Sequence, residues 1–114
     1  MRKEFKEYSV EEFKSFHEAV KRHVDRHGDR IAFQFREKKE IKSVSYSEFY
    51  QDSLCLGNAI LKRGFIDRHV ACIGDNCYRW LVVHFTMMNS NGVFVPLDRQ
   101  LPKNDIATVL NHSD

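Results

Sequence analysis

The sequence predicts an α/β fold containing a parallel βαβ unit at about 69–97, preceded by a helix, a β-hairpin and a second helix. Three observations carry this. Two short apolar runs, Val70–Ile73 and Val93–Leu97, lack the alternation of a half-solvated strand. Between them lies a segment of helical length, Tyr78–Asn89, that is apolar nearly all round. Ahead of them, two hydroxyl-x-x-Glu signatures introduce stretches of helical periodicity. Strands without alternation are buried on both faces, as parallel sheets covered by helices are. The crossover joining them is expected to be right-handed.

From the N-terminus, Ser9-Val10-Glu11-Glu12 has the form of a capping box, with a hydroxyl at the cap and a carboxylate three residues on. Val10, Phe13, Phe16 or His17, Val20 and Val24 then recur at helical spacing, which predicts a helix from about Val10 to His27. Gly28 is its expected stop, in a left-handed C-cap. Ile31, Phe33 and Phe35 alternate as in a half-buried strand, Arg36–Glu40 is a polar turn, and Ile41–Ser45 returns. Ser45-Tyr46-Ser47-Glu48 is the second capping box. It opens a helix whose wide apolar face joins Phe49, Ser53, Leu56 and Ile60 to Tyr50, Leu54, Gly57 and Leu61. Lys62 and Arg63 suit the last turn, and Gly64 ends it. Asn76 is the expected N-cap of the third helix, Asn91-Gly92 its break. Pro102 opens a short final helix with Ile106, Val109 and Leu110.

At 114 residues and 13.5 kDa the chain is a single unit, 1–114, large enough for a core. No apolar run approaches the length of a membrane span; Trp80–Val83 is broken by His84. Eighteen basic against sixteen acidic residues leave a net charge of +2, with the signs interspersed, which argues against nucleic acid as a partner. Cys55, Cys72 and Cys77 form no disulfide framework and suit a reducing cytoplasm. Met1–Glu7 has no apolar stretch behind its charges and does not read as a signal peptide.

Chemistry-bearing patterns are sparse. Glycines at 28, 57, 64, 74 and 92 are too far apart for a Walker loop or for G-x-G-x-x-G. Phosphate could sit on the helix N-terminus after Asn76, but Asp75 places a negative charge there. His23 and His27 are spaced to share a metal on one helix face; the competing reading, a solvated last turn suited to the helix dipole, is preferred. Cys77, opening a helix, could be reactive, with an inert packed thiol as the alternative. Glu48, Asp75 and Asp98 have no evident carboxylate partner, there is no G-x-S-x-G elbow, and the Trp80–Met88 stripe reads as core. Residue by residue, no catalytic, cofactor-binding or metal-ligating position is assigned.

The order of segments is more telling. Val44-Ser45-Tyr46-Ser47-Glu48-Phe49, Leu61-Lys62-Arg63-Gly64, Val70-Ala71-Cys72-Ile73-Gly74-Asp75-Asn76 with Trp80, and Gly92-Val93-Phe94-Val95-Pro96-Leu97-Asp98 together resemble the N-terminal edge of the adenylate-forming, AMP-binding synthetase superfamily. Within it, Ile73–Asn76 with Trp80, and Val95–Asp98 followed by Leu101-Pro102, look most like bacterial long-chain fatty acyl-CoA ligases. The resemblance runs from about Phe13 to Asp114. It implies a partial three-layer α/β fragment of the large domain, with the rest of the synthetase chain as its partner. The implied parent forms an acyl-adenylate and then an acyl-CoA, using ATP, Mg²⁺ and CoA. The family's Ser/Thr/Gly-rich phosphate loop and its C-terminal lysine have no counterpart in this sequence, so the fragment alone is expected to be inactive. Self-association through an incomplete sheet is a further expectation; the alternative is a monomer whose N-terminal helix covers the gap. The rival to the whole reading is a free-standing α/β binding or regulatory module.

Overall fold

A computed structural model describes residues 11–65 and 67–113. The elements are α1 (Phe16–His27), β1 (Ile31–Glu37), β2 (Glu40–Ser45), α2 (Tyr46–Lys62), β3 (His69–Ile73), α3 (Tyr78–Met88), β4 (Val93–Leu97) and α4 (Lys103–Ser113). β1 and β2 form an antiparallel pair; β3 and β4 form a separate parallel pair running from His69↔Val93 to Ile73↔Leu97. The predicted βαβ unit is therefore present, with α3 as its crossover helix.

α1 starts later than its sequence pattern suggests. The expected cap Ser9 and first residue Val10 lie outside the described residues, while Glu11–Ser15 precede the helix. Ser15 is the cap: its Oγ accepts from Glu18 N–H at 3.1 Å, and Glu18 Oε2 accepts from Lys14 N–H at 2.9 Å. The described start of α1 thus rests on the Ser15-x-x-Glu18 pair. Glu11 instead takes ion pairs from Arg22 and Arg26 at 3.0 and 2.8 Å.

Gly28 is not left-handed; its φ of −55° is ordinary helical geometry. Close packing requires the glycine. A Cβ there would lie inside van der Waals contact with Ser47 Oγ and 2.8 Å from the Val24 carbonyl oxygen. The loop after α1 sits against the start of α2, where Ser47 N–H donates to Gly28 O and Tyr46 N–H to Arg30 O, both at 3.0 Å. With Ser45 Oγ accepting from Glu48 N–H at 3.1 Å, three of the helix's initial donors are satisfied. The left-handed glycine is Gly64, with φ 74°, after the C-cap Arg63 of α2. Phe65 N–H reaches back to Ile60 O at 3.1 Å, as in a Schellman ending.

The hairpin turn is tighter than the five polar residues suggest. Only Lys38 and Lys39 lie between the strands, Glu37 pairs with Glu40, and Lys38 takes φ 57°. Phe33 and Phe35 face the core with Val44, while Gln34 faces solvent.

The core is built around aromatic rings contributed by the hairpin, α2 and α3. Val44, Phe49, Val82 and Phe85 are buried together, with Val20, Phe33, Phe35, Leu56 and Tyr78 against them. The Phe49 and Phe85 rings are 4.9 Å apart, and Phe33 stands edge-on to Phe49 at 5.0 Å. Beside these rings α2 and α3 meet through small side chains. Thr86 Oγ1 donates to Val82 O at 2.7 Å, and Ser53 Oγ donates to Phe49 O at 2.8 Å, so both hydroxyls are buried without an unmet donor.

Two expectations about the second half need correction. The N-cap of α3 is Cys77, not Asn76, and its side chain makes no capping bond. Pro102 opens α4 as expected: the helix begins at Lys103, and the Pro102 carbonyl accepts from Asp105 and Ile106 N–H at 3.0 and 3.1 Å. The β3–β4 pair is not buried on both faces. α3 covers the side bearing Val70, Cys72 and Phe94, with Trp80 edge-on to Phe94 at 5.3 Å. The opposite side leaves Ala71, Ile73 and Val93 exposed, the last two by 48% and 46%. α1 does not fill this gap, for it packs along α2. Trp80 is half-buried, so the anchors of α3 are Phe85, Val82 and Met87.

Two predictions follow from this packing. Gly28→Ala should cost about 1–3 kcal/mol in urea unfolding, as overpacking does. Adding Ser47→Gly should recover only part of the loss, because the Val24 carbonyl remains. Phe85→Ala should cost about 3–5 kcal/mol. Trp80→Ala, at a half-exposed site, should cost clearly less, and equal losses would place the core elsewhere.

Candidate functional site

In a parallel sheet the carboxyl ends of the strands and the loops that follow form the usual ligand edge. Here that edge is made by the β3–α3 loop, Gly74–Cys77, and the β4–α4 loop, Asp98–Pro102. Arg99 Nε and Asp75 Oδ1, 3.0 Å apart and both well exposed, tie the loops together. Asp98 is committed to its own turn, with Oδ1 accepting from Gln100 N–H at 2.9 Å and its carbonyl accepting from Leu101 N–H at 3.2 Å.

Beside this edge, the start of α3 faces β1 across a cleft of about 470 Å³ lined by Phe35, Arg36, Glu37, Asn76, Cys77, Tyr78 and Arg79. The Phe35 and Tyr78 rings lie parallel within 10°, at 5.9 Å. Tyr78 Oη donates to Asp52 Oδ2 at 2.5 Å. Burial, then that bond, then the nearby carboxylates of Asp52 and Glu48 push the phenol well above its usual range. Tyr78 is therefore a fixed hydrogen-bond donor at neutral pH and no acid–base catalyst.

The residues singled out in the sequence do not converge. Cys77 is exposed at the start of α3, and Cys72 lies half-buried under α3; burial first, then Cys77, pushes the Cys72 thiol up, away from the reactive thiolate. Glu48 stands in the first turn of α2, apart from Asp75 and Asp98. The His23 and His27 rings are 5.2 Å apart, and among the described residues no third ligand joins them. Trp80 and His84 pack on Phe94, His84 stacked at 4.5 Å and within 13°. The pairs Asp52–Tyr78 and Asp75–Arg99 were missed in the sequence. Their partners stand 26 and 24 positions apart, and only the packing of α2 on α3 and the parallel register bring them together.

The Asp75–Arg99 ion pair stands beside the first turn of α3, and the arrangement joins two loops and orients α3.

Comparison with known proteins then places the fold. Over 87 residues the chain is 29% identical to 4-hydroxybutyrate–CoA ligase 2 of Metallosphaera sedula, covering 75% of this chain and 15% of that relative. The Klebsiella oxytoca NpsA N-terminal subdomain superposes with a TM-score of 0.74 at 19% identity, over 89% of this chain and 26% of that one. Klebsiella oxytoca NpsA in complex with 3-hydroxyanthranilyl-AMSN gives a TM-score of 0.75, again at 19% identity, over 90% of this chain and 20% of that one. At such identities the structural likeness concerns fold alone. The chain spans only 15% of the curated relative and about a quarter of the solved subdomain. Residues 20–114, from the middle of α1 through α4, match the family described as AMP-binding enzyme, and the chain belongs to that family.

Proposed function

We propose that this chain is the N-terminal part of the large domain of a cytoplasmic ATP-dependent acid–thiol ligase acting on long-chain fatty acids. The observation that carries the ligase reading is the 29% identity to a CoA ligase over three quarters of the chain. The choice of a long-chain acid rests on Ile73–Asn76 with Trp80 and on Val95–Asp98 followed by Leu101-Pro102. In the whole enzyme, the acid's carboxylate would displace pyrophosphate from ATP to give an acyl-adenylate. The CoA thiol would then displace AMP. Mg²⁺ would counter the phosphate charge.

Within residues 1–114 the roles are structural. Ser45 caps α2, Phe49 anchors it on α3, and the loops after β3 and β4 are joined by Asp75 and Arg99. No catalytic, nucleotide-binding or metal-binding residue is assigned here. The partner of the open β3–β4 face is the rest of the synthetase. In the isolated chain, a second copy takes its place.

Three outcomes test this. The endogenous polypeptide carrying this chain, captured with an antibody to residues 11–113, should convert ATP to AMP in the presence of CoA and palmitate. It should do so faster than with 4-hydroxybutyrate or benzoate. A preference for either of these would overturn the long-chain assignment, and no acid-dependent AMP would overturn the ligase reading. The isolated 114-residue chain should show no saturable heat with ATP and Mg²⁺ in calorimetry. Its light-scattering mass should rise with concentration above the 13.5 kDa monomer. A constant monomer mass would remove the self-association.

A further inference from the structure

The C-terminal end of α2 carries large apolar side chains on its outer surface. Leu61 and Phe65 are 58% and 52% exposed, and Leu54, two turns before Leu61 on the same face, is exposed as well. α1 meets the other end of α2, with His17 on Tyr50 and His23 on Tyr46. The turn after α2 is braced. Gly64 N–H donates to Leu61 O, Phe65 N–H to Ile60 O and Arg68 N–H to Phe65 O, each at 3.1 Å. Arg68 O accepts from Val93 N–H at 3.1 Å, which ties the turn to the start of β4. The exposed phenyl ring of Phe65 therefore stands on fixed backbone, just past the last turn of α2.

The charge here is as uneven as the polarity. Lys62, Arg63 and Arg68 stand against Asp67, and all four are exposed. These four residues account for the chain's whole net charge of +2, since bases and acids balance over the rest of the sequence. Among the described residues no carboxylate lies within ion-pair distance of the three bases. Arg22 and Arg26, by contrast, are held by Glu11, Lys42 by Glu37 and Arg99 by Asp75. The hairpin turn is also basic, but Lys42 is paired there and Ile41 is its one exposed large apolar side chain. Only the end of α2 joins bulky exposed apolar groups to unpaired cations. It precedes β3, whereas the Asp75–Arg99 pair follows it, so the two lie at opposite ends of the parallel strands.

We propose that Leu61 and Phe65, with Lys62, Arg63 and Arg68, form a contact surface for an anionic lipid bilayer. Leu61 and Phe65 enter the boundary between headgroups and acyl chains, where burying apolar area drives binding. The three cations meet the lipid phosphates, and each strengthens binding about fivefold. The carboxyl edge of β3 and β4 faces away from the bilayer and stays free.

Flotation of the 114-residue chain with lipid vesicles tests this. At about 0.1 M salt, vesicles of phosphatidylcholine with about one third phosphatidylglycerol should bind the chain at least about tenfold more tightly than phosphatidylcholine alone. Lys62→Gln with Arg63→Gln should lower binding to the anionic vesicles by about tenfold or more. Leu61→Ser with Phe65→Ser should lower it by a similar factor. Lys38→Gln with Lys39→Gln removes the same charge at the hairpin turn and should change it by less than about threefold. Equal binding to both kinds of vesicle, or equal losses from the hairpin and α2 variants, would overturn the proposal. So would an α2 variant that lowers the light-scattering mass of the chain without vesicles, since that marks a contact between copies. Should the α2 variants fail to fold, hydrogen exchange on the unaltered chain decides. Anionic vesicles should slow exchange in the last turn of α2 and at Phe65 and Arg68, and leave the hairpin turn unchanged. Slowing at the hairpin turn instead, or nowhere, overturns it.

Discussion

The contact on which the structure depends is that of α2 with α3. The chain has two strand pairs that share no hydrogen bond, the β1–β2 hairpin and the parallel β3–β4 unit. A two-stranded ribbon is marginal alone in water. Each pair is stable only through the helix it packs on, so the two halves are joined where those helices meet. Phe49 and Phe85, 4.9 Å apart, make that joint, and Ser53, Gly57 and Thr86 let the helices close beside it. At Gly57 a Cβ would sit 3.6 Å from Thr86 Cγ2, an ordinary van der Waals contact. The Asp52–Tyr78 bond pins one end of the same interface, because Tyr78 also stacks on Phe35 of the hairpin.

Several polar side chains of this arrangement hold elements together. Asp52 takes the Tyr78 proton donor, Asp75 takes Arg99, and Asp98 closes its own turn. A carboxylate serving as general base must be free to reach a substrate proton. Several aromatic side chains pack in the core, while Phe13, Phe16 and Phe65 stay exposed. At the start of α3, Cys77 caps without a side-chain bond, and the Asp75–Arg99 pair stands beside it.

How far the sequence revealed this depended on the range of each interaction. Ser45-x-x-Glu48 and Gly64 are local signals, and both elements ended where they indicated. The apolar runs at 70–73 and 93–97 paired in parallel, as their lack of alternation implied. Ser9 lies outside the described residues; α1 begins later than Val10 because Ser15-x-x-Glu18, a second signal of the same form, caps it, and local chemistry cannot rank two such caps. Gly28 was assigned the wrong reason: its need for no side chain comes from Ser47, nineteen positions away, and not from its own backbone angles. Trp80 was overrated for a similar cause. Helical spacing shows that a side chain shares an apolar stripe, but how deeply it is buried depends on the facing strand, and Phe94 covers only one of its edges.

The open face of β3–β4 carries the last step. A strand evolved to face water on one side alternates apolar and polar residues, because each exposed apolar side chain forgoes burial worth about 1.5–3 kcal/mol. β3 does not alternate in sequence, yet it does alternate in exposure: Val70 and Cys72 lie under α3, while Ala71 and Ile73 meet solvent beside Val93; β4 does not alternate, and Leu97 at its end is buried. Sequence and burial therefore disagree on one face only. The sequence is written for a sheet covered twice, and the described elements cover it once. In the hairpin Gln34 and Ser43 turn outward opposite Phe33 and Val44 and bond to each other at 3.3 Å, although Ile31 and Ile41 also stand exposed there. A face designed for water and a face designed for contact thus coexist in one chain. The difference is what the proposed packing of the rest of the synthetase on β3–β4 requires.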